Sequence, residues 1–271
     1  MKAIFFDIDG TILYMQKGIE KIRPAVFSAM KDLQAAGHKI FLATGRPYAF
    51  IYDNILKVDF DGMITCNGAC IIHGDQLVYS KPIDSKIVLD VIHRCEANNL
   101  EYVLESYPEV YLPKNSPVFE DFYKKIQIPI SYNVVRDFDV ENVANGKIYK
   151  IESFTTDSHA EKTYRELMAL PGLTGVIDPA HFSNVELYSD SQSKATGILK
   201  VLEHLNIPIE ESYAFGDGLN DIEMMQTVGH ALVMGNAQDA LKPYAEHILP
   251  TVFDDGVAFG IRNYILKEGS A

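Results

Sequence analysis

The chain has 271 residues, of which 47% are hydrophobic and 23% charged, a composition that excludes a disordered or collagen-like protein. At about 100–200 residues per domain, this length predicts one large domain or two smaller ones. The 24 lysines and arginines against 37 aspartates and glutamates give a net charge of −13, which argues against nucleic acid or an anionic membrane as a partner. An anionic substrate therefore needs a metal ion or a few placed lysine and arginine side chains.

The sequence also argues against a membrane span. The longest stretch without a charged side chain, 224–238, is shorter than the about 20 apolar residues that a span needs. Acidic residues interrupt the first apolar run, which does not fit a signal peptide. The cysteines form no C-x-x-C pair, so we expect reduced, buried thiols in a cytoplasmic protein: Cys66, Cys70 and Cys95.

The first part of the chain alternates short apolar runs with a helical pattern. The runs predict strands that are buried on both faces, at 3–6, 39–43 and 62–66. Val26, Met30 and Leu33 recur at helical spacing between the first two runs, and Gly37 is placed to end that helix. This β-α-β order implies a parallel sheet with right-handed crossovers.

A different region begins near Pro82, after a predicted hairpin that turns at Gly74 and Asp75. Its apolar patterns predict a helix, two strands, a second helix and a third strand, at 87–95, 101–105, 147–154, 158–170 and 184–188. The segment 107–145 is rich in proline, tyrosine and asparagine and favours no assignment. We interpret 83–186 as an inserted α/β domain, with 1–82 and 187–271 forming one core.

The alternation of strands and helices then returns. The patterns predict a helix, a strand, a helix that begins at Asn220, another strand and a terminal helix, at 194–205, 213–215, 220 onward, 230–234 and 257–266. The fold class is therefore α/β, with a Rossmann-like parallel-sheet core and an inserted α/β domain.

Four segments of the core carry side chains suited to chemistry. Asp7-Ile8-Asp9-Gly10-Thr11 follows the first strand, and two carboxylates this close repel each other unless one is protonated or a cation such as Mg²⁺ lies between them. Thr44-Gly45-Arg46-Pro47 follows the second strand and suits phosphate binding or a simple helix cap. Lys194 begins a helix, where a nearby anion would offset its unfavourable position. Gly216-Asp217-Gly218-Leu219-Asn220-Asp221 follows a later strand and supplies further acids or an N-cap.

Taken singly, the second segment is better explained by a strand-to-helix turn with a cap, Lys194 by a surface lysine, and the acids of the last segment also by an N-cap. Their combination favours chemistry, because active groups gather beyond the carboxyl ends of parallel strands. Acids, a hydroxyl, a lysine and glycines at one sheet edge are what phosphoryl transfer to a carboxylate requires.

These four segments, in this order, resemble the haloacid dehalogenase-like phosphatase superfamily, and the insertion is similar to the α/β cap of its Cof-type branch. Supporting segments are Cys66-Asn67-Gly68-Ala69, Gly235-Asn236-Ala237 and Asp255-Gly256-Val257. The resemblance covers both core segments and the position of the cap. It implies an enzyme, a phosphoric monoester hydrolase that works through an aspartyl-phosphate intermediate.

The resemblance also implies a role for each motif residue. Asp7 would attack the phosphorus, and Asp9 would protonate the leaving alkoxide and then deprotonate the hydrolytic water. Thr44, the Gly45 N–H and the Ile8 N–H would bind phosphate oxygens. Further implied phosphate ligands are Lys194 and Asn220, and the implied Mg²⁺ ligands are Asp7, the Asp9 backbone carbonyl, Asp217 and, indirectly, Asp221.

The expected partner is a small phosphorylated metabolite, with sugar phosphates first, and the expected assembly is a monomer or weak homodimer. A phosphomutase and a non-catalytic phospho-ligand sensor remain the alternatives. The resemblance implies that the cap closes over the site, with hinges near Pro82 and 186–191, and that the cap selects the substrate. Asn184, Glu186 and Tyr48 are candidates for that selection, or are ordinary surface and packing residues.

Overall fold

The computed structural model describes residues 1–74, 76–125, 133–157, 160–177 and 183–267. It divides into two compact units. The first unit is built from Met1–Gly45, Tyr52–Tyr79 and the chain from Ser193 onward, and the second from Arg46–Ile51 and Ser80–Gln192. The second unit therefore extends a few residues beyond the predicted insertion at both ends, and it includes a six-residue segment that lies far away in sequence.

The secondary structure is mixed throughout. The strands are β1 Ala3–Phe6, β2 Lys39–Ala43, β3 Gly62–Thr65, β4 Cys70–His73, β5 Gln76–Ser80, β6 Glu101–Glu105, β7 Val110–Tyr111, β8 Val134–Val135, β9 Lys150–Phe154, β10 Leu173–Ile177, β11 Asn184–Ser189, β12 Ser212–Gly216, β13 His230–Val233 and β14 His247–Ile248. The helices are α1 Pro24–Ala35, α2 Asp53–Leu56, α3 Ser85–Ala97, α4 Pro117–Lys125, α5 Val140–Ala144, α6 Glu161–Met168, α7 Lys194–Leu205, α8 Ile222–Thr227 and α9 Gly256–Gly260.

The first unit is built on a sheet with the strand order β14-β13-β12-β1-β2-β3-β4-β5. The pairs from β14 to β3 are all parallel, whereas β4 returns antiparallel to β3. The central strands are apolar and buried because α-helical crossovers cover both faces of a parallel sheet. The predicted α/β fold with a parallel-sheet core is confirmed.

The register of this sheet aligns the ends of its central strands. Phe6, the last residue of β1, pairs with Leu42 in β2 and with Phe215 in β12. The residues that follow these three positions therefore leave the sheet at the same edge. The three segments that begin at Asp7, Ala43 and Gly216 therefore lie beside one another.

The second unit contains a sheet with the order β10-β11-β9-β6-β7-β8, antiparallel except at the short pair β7–β8. One apolar cluster joins α3 and α6 to this sheet through side chains such as Val91, Tyr164 and Ile151. A second cluster packs Phe50, from the segment Arg46–Ile51, with Phe119 of α4. That contact explains why this segment belongs to the second unit.

A buried lysine joins three strands of the second unit. Lys150 Nζ lies 2.7 Å from Glu152 Oε1, 3.2 Å from Glu105 Oε1 and 3.1 Å from Glu186 Oε2. Tyr123 donates a hydrogen bond of 2.9 Å to the other oxygen of Glu152. The carboxylates raise the pKa of Lys150 above its ordinary value even though burial alone would lower it. The ammonium therefore stays charged and links β6, β9 and β11.

Several sequence expectations are refined by the structure. The segment 107–145 contains β7, α4, β8 and α5, and the residues 126–132 within it lie outside the described part of the chain. The predicted hairpin corresponds to the neighbours β4 and β5, but its turn residue Asp75 is not among the described residues. The predicted helix 158–170 is α6, whose expected first residues 158 and 159 are likewise outside them. The terminal helix α9 continues as a π-type turn over Ile261–Ile265.

The three cysteines are free and buried. Among the described residues, no helix is long and apolar enough to cross a membrane.

Candidate active site

Asp7 lies directly beyond the buried strand β1. Its backbone N–H donates to the carbonyl of Phe215 at 3.0 Å, which continues the parallel ladder to β12 by one residue. The chain then turns sharply, because the Ile8 carbonyl accepts the N–H groups of Ile12 and Leu13 at 3.0 and 2.9 Å. The Asp7 side chain is only 8% exposed, so its carboxylate is held at the sheet edge with little access to water.

Lys194 brings a positive charge to this carboxylate from the first residue of α7. Its Nζ donates to Asp7 Oδ1 at 2.6 Å and to Asp221 Oδ1 at 2.6 Å. All three side chains are buried. Burial lowers the pKa of Lys194, but the carboxylates of Asp221 and Asp7 raise it by more than burial lowers it. The net shift is upward, and the ammonium remains protonated.

Asp221 is held by the loop that follows β12. Its second oxygen, Oδ2, accepts the N–H groups of Asp217 and Gly218 at 2.9 and 3.0 Å. Backbone donors satisfy one side of this carboxylate and Lys194 satisfies the other, which fixes its orientation. Asp221 therefore ties the motif that contains Asp217 to the start of α7.

Asp217 is the third carboxylate of the site. Thr11 Oγ donates to its Oδ1 at 3.4 Å, and Asn236 Nδ2 lies 3.5 Å from its Oδ2. Gly10 has φ +84°, and a Cβ at that position would overlap the Asp217 carboxylate. Both the left-handed backbone and the close approach require glycine there.

The donor set of this site fits a divalent cation. One carboxylate oxygen each from Asp7, Asp217 and Asp221 lies within 4.8 Å of the other two. Three negative charges against the single charge of Lys194 leave an excess of two, and oxygen ligands of this kind suit Mg²⁺. Burial and the neighbouring carboxylates raise the pKa of both Asp7 and Asp217, as expected where negative charge is under-compensated.

The segment after β2 lies beside the loop that follows β12. Asn220 Nδ2 is 3.4 Å from Asn67 Oδ1, and a Cβ on Gly45 would lie 3.0 Å from the same oxygen. Thr44 is buried, and its carbonyl accepts the Asn67 N–H at 3.2 Å. Thr44, Gly45 and Asn220 therefore come together, as a phosphate cradle requires.

Asp9 and Arg46 are the remaining charged residues of the first two motifs, and the charge of Asp9 helps to raise the pKa of Asp7 and Asp217. Asp9 is exposed on the loop after Asp7 and is not one of the three clustered carboxylates. Arg46 is buried in the second unit, where its guanidinium donates to the Phe50 carbonyl at 3.1 Å.

The candidates for substrate selection have contacts within the second unit. Tyr48 packs edge-on against Tyr107, with ring centroids 5.1 Å apart. Glu186 pairs with Lys150, and its side chain is 33% exposed. Asn184 is half-buried at the start of β11, in register with Phe154 of β9.

Sequence reasoning assigned no role to two asparagines that the structure places at the site. Asn67 has a left-handed backbone, φ +51°, and faces both Gly45 and Asn220. Asn236 donates to the Gly10 carbonyl at 2.8 Å and accepts the Val252 N–H at 2.8 Å. Both occur in segments that carried the family resemblance. The available signal was a glycine next to an asparagine after an apolar strand, as in Asn67-Gly68 and Gly235-Asn236.

Comparison with known proteins decides the family. The family model for haloacid dehalogenase-like hydrolases matches residues 4–261. The chain belongs to the haloacid dehalogenase-like hydrolases. This membership, the Cof-type resemblance and the prediction of a phosphatase-type enzyme are confirmed by the match and by the relatives below.

Relatives of this hydrolase match over nearly their whole length. It is 30% identical to the putative phosphatase YkrA of Bacillus subtilis over 264 residues, which is 96% of each chain. It is 27% identical to the 5-amino-6-(5-phospho-D-ribitylamino)uracil phosphatase YitU of the same organism, again over 96% of each chain. The solved structure of the HAD subclass IIB sugar phosphatase BT4131 superimposes with a TM-score of 0.82 and 26% identity, covering 97% of this chain and 99% of that one.

Proposed function

We propose that this hydrolase is a Mg²⁺-dependent phosphatase of small phosphorylated metabolites that works through an aspartyl phosphate on Asp7. The observation that carries the proposal is the buried cluster of Asp7, Asp217 and Asp221 around Lys194. The cluster brings the candidate nucleophile and two further carboxylates, which follow the parallel strands β1 and β12, to the ammonium at the start of α7. Phosphoryl transfer needs positioning and charge neutralisation more than any other contribution from the protein.

Asp7 would be the nucleophile. Its carboxylate would attack the phosphorus in line, so that a bond from its oxygen to phosphorus forms while the bond to the leaving oxygen breaks. Lys194 orients Asp7 and supplies a fixed positive charge for the transferring group. Since the Lys194 ammonium is held by two carboxylates, no reorganisation is needed when charge develops.

Asp9 would be the acid and then the base. It would give its proton to the leaving alkoxide and later take a proton from the water that hydrolyses the aspartyl phosphate. Its exposure favours this role, because an acid that exchanges protons with substrate and solvent cannot be sealed in the core.

The phosphate cradle would be formed by Thr44, Gly45, Asn220 and the Ile8 N–H. A Cβ at Gly45 would lie 3.0 Å from Asn67 Oδ1, so a side chain at this position would crowd Asn67. Mg²⁺ would be held by the carboxylates of Asp7 and Asp217 and the Asp9 carbonyl, with Asp221 supporting it. When bound, the ion would neutralise phosphate oxygens and the excess negative charge of the site.

Sugar phosphates are the first substrate class to test. Two relatives support that order: one is named as a sugar phosphatase, and the other as a phosphatase of a phosphorylated ribitylamino compound. We further propose that the second unit, predicted as 83–186, selects the substrate. The phosphomutase and sensor alternatives are not favoured by relatives that are named phosphatases. A cytoplasmic location and a monomer or weak homodimer remain predictions.

The test is phosphate release from 4-nitrophenyl phosphate and a panel of sugar phosphates, with Mg²⁺ and with EDTA. We expect turnover that needs the metal and is lost in Asp7→Asn. Asp32→Asn is the matched control, since Asp32 is an exposed acid on α1. Full activity in Asp7→Asn, or equal activity with EDTA, would contradict the proposal.

A further inference from the structure

A cavity of about 180 Å³ lies within the first unit, between the helix α7 and the strands β2, β4 and β5. None of the catalytic, phosphate or metal candidates lines it. Its inner wall is apolar and includes Phe41, Ile71 and Val201. Val78, on the edge strand, also lines the cavity and is 45% exposed, so the cavity reaches the surface there.

The cavity is large enough for one aromatic ring. An engineered cavity of about 150 Å³ lined by leucine, isoleucine and phenylalanine binds a benzene molecule. The walls here also present rings: His73 lies 6.4 Å from Phe41 and meets His204 edge-on at 5.4 Å between ring centroids. Tyr79 supplies a further ring. An aromatic ligand would make further offset and edge-on contacts with these rings, which an aliphatic ligand would not.

The polar groups of the cavity favour a negative charge on that ligand. Lys200 lies in the wall with its Nζ 4.4 Å from the centroid of the Tyr79 ring, which holds the ammonium beside the cavity. His73 and His204 add imidazole groups. Among the described residues, the lining contains no carboxylate, although acids outnumber basic side chains by 37 to 24 in the chain.

We propose that this cavity is a binding site for a small aromatic carboxylic acid, with the ring against Phe41 and Val201 and the carboxylate at Lys200. Small-molecule sites typically combine an apolar wall with a few placed polar groups, as here. The site is separate from the proposed phosphatase chemistry. Its ligand would contact the same helix, α7, whose first residue is Lys194.

The test is titration of the full chain with phenylacetate while Mg²⁺ and inorganic phosphate are present at saturating concentration, so that a carboxylate at the catalytic site does not contribute. Binding is followed by NMR of the methyl groups. We expect saturable shifts at Val78, Val201 and Leu205, and weaker binding of the uncharged phenylacetamide. Acetate, which has the charge without the ring, should not bind.

Charge reversal at the rim tests the proposed orientation. Lys200→Glu should lower the affinity for phenylacetate by about fivefold or more and leave the affinity for phenylacetamide nearly unchanged. Lys31→Glu, on α1, is the matched control and should change neither affinity. A second variant, Val78→Gln in the exposed part of the lining, should lower the affinity for both ligands.

Three results would overturn the proposal: no saturable phenylacetate binding, equal affinity for phenylacetate and phenylacetamide, or shifts confined to methyl groups outside the cavity. The readout is binding and not turnover. Absence of phosphatase activity would therefore leave this proposal standing, and absence of binding would leave the proposed phosphatase standing.

Discussion

Lys194 Nζ lies 2.6 Å from Asp7 Oδ1, although the two residues are 187 positions apart in the chain. The contact joins the end of β1 to the start of α7, the helix that follows the second unit in the chain. Both groups are buried, and Asp221 shares the same ammonium. The proposed catalytic cluster is therefore also a structural cluster of the first unit.

Loss of Lys194 should destabilise the fold as well as stop the reaction. Lys194→Met keeps most of the side-chain length but leaves Asp7 and Asp221 buried without their cation. Removing one partner of a buried ion pair costs about 3–5 kcal/mol in the free energy of unfolding. Urea denaturation in EDTA measures this cost, with the exposed Lys31→Met as control. Equal midpoints for the two variants would show that the contact carries no stability.

Gly10 should be required for the position of Asp217, and Gly18 offers a matched comparison. Both glycines have a left-handed backbone, with φ of +84° and +81°, so an alanine at either position costs about 1–2 kcal/mol of backbone strain. Only at Gly10 does a Cβ collide with the Asp217 carboxylate; at Gly18 nothing lies within 4 Å. Gly10→Ala should therefore also weaken Mg²⁺ binding.

Isothermal titration with Mg²⁺ separates the two glycine effects, since strain alone leaves the metal affinity unchanged. We expect a clear loss of affinity in Gly10→Ala and wild-type affinity in Gly18→Ala. The same Mg²⁺ affinity in both variants would contradict the prediction: Asp217 would then either not bind the metal, or shift away from the added methyl group without weakening metal binding.

Asp221→Asn should weaken the metal site without abolishing the fold. An asparagine oxygen can still accept the N–H of Asp217 or Gly218, but the charge paired with Lys194 is lost. Removing a group that supports metal ligands typically costs about 10–100-fold in metal affinity or activity. The measurement is the Mg²⁺ concentration needed for half-maximal phosphate release. Glu223→Gln, an exposed acid two residues further on, should be unaffected.

Much of this site was accessible from the sequence because strand ends are easily recognised. Short apolar runs marked β1, β2 and β12, and the parallel register brings the segments after them to one edge. Asp7 and Asp217 were identified in this way. The glycine beside Asn236 marks a loop after an apolar strand, but it does not indicate the hydrogen bonds of Asn236 to Gly10 and Val252, which depend on the packing of three distant loops.

The second unit was less predictable for a physical reason. Its strands β7 and β8 have two residues each, too few to establish a period of two. The assignment of Arg46–Ile51 to this unit depends on Phe50 packing with Phe119, a contact between distant positions that local patterns do not encode. The hydrogen bond from the Arg46 guanidinium to the Phe50 carbonyl, within the same segment, is likewise a contact that local patterns do not encode.

Lys150 should stabilise the second unit, and the effect should depend on pH in one direction. Lys150→Met leaves Glu105 and Glu152 buried without a cation, so we expect a loss of about 3–5 kcal/mol near neutral pH. Because the pKa of Lys150 is raised in the fold, its contribution is complete below the pKa of an unfolded lysine, about 10.4, and is lost as the pH rises through the higher folded value.

Urea midpoints of the wild type and Lys150→Met should therefore differ equally at about pH 7 and pH 9, and less at about pH 11. The exposed Lys147→Met is the control and should match the wild type at each pH. A difference that grows with rising pH would contradict the assignment of a raised pKa to Lys150.

The most direct test of the account is the location of the phosphoryl group on the enzyme. In Asp9→Asn, 4-nitrophenyl phosphate still carries a leaving group that needs no proton, whereas hydrolysis of the intermediate loses its base. The phosphoenzyme should accumulate, and rapid acid quench followed by peptide mass spectrometry should find the phosphoryl group on Asp7. A phosphoryl group on another residue, or product formation without any phosphoenzyme, would contradict the central claim.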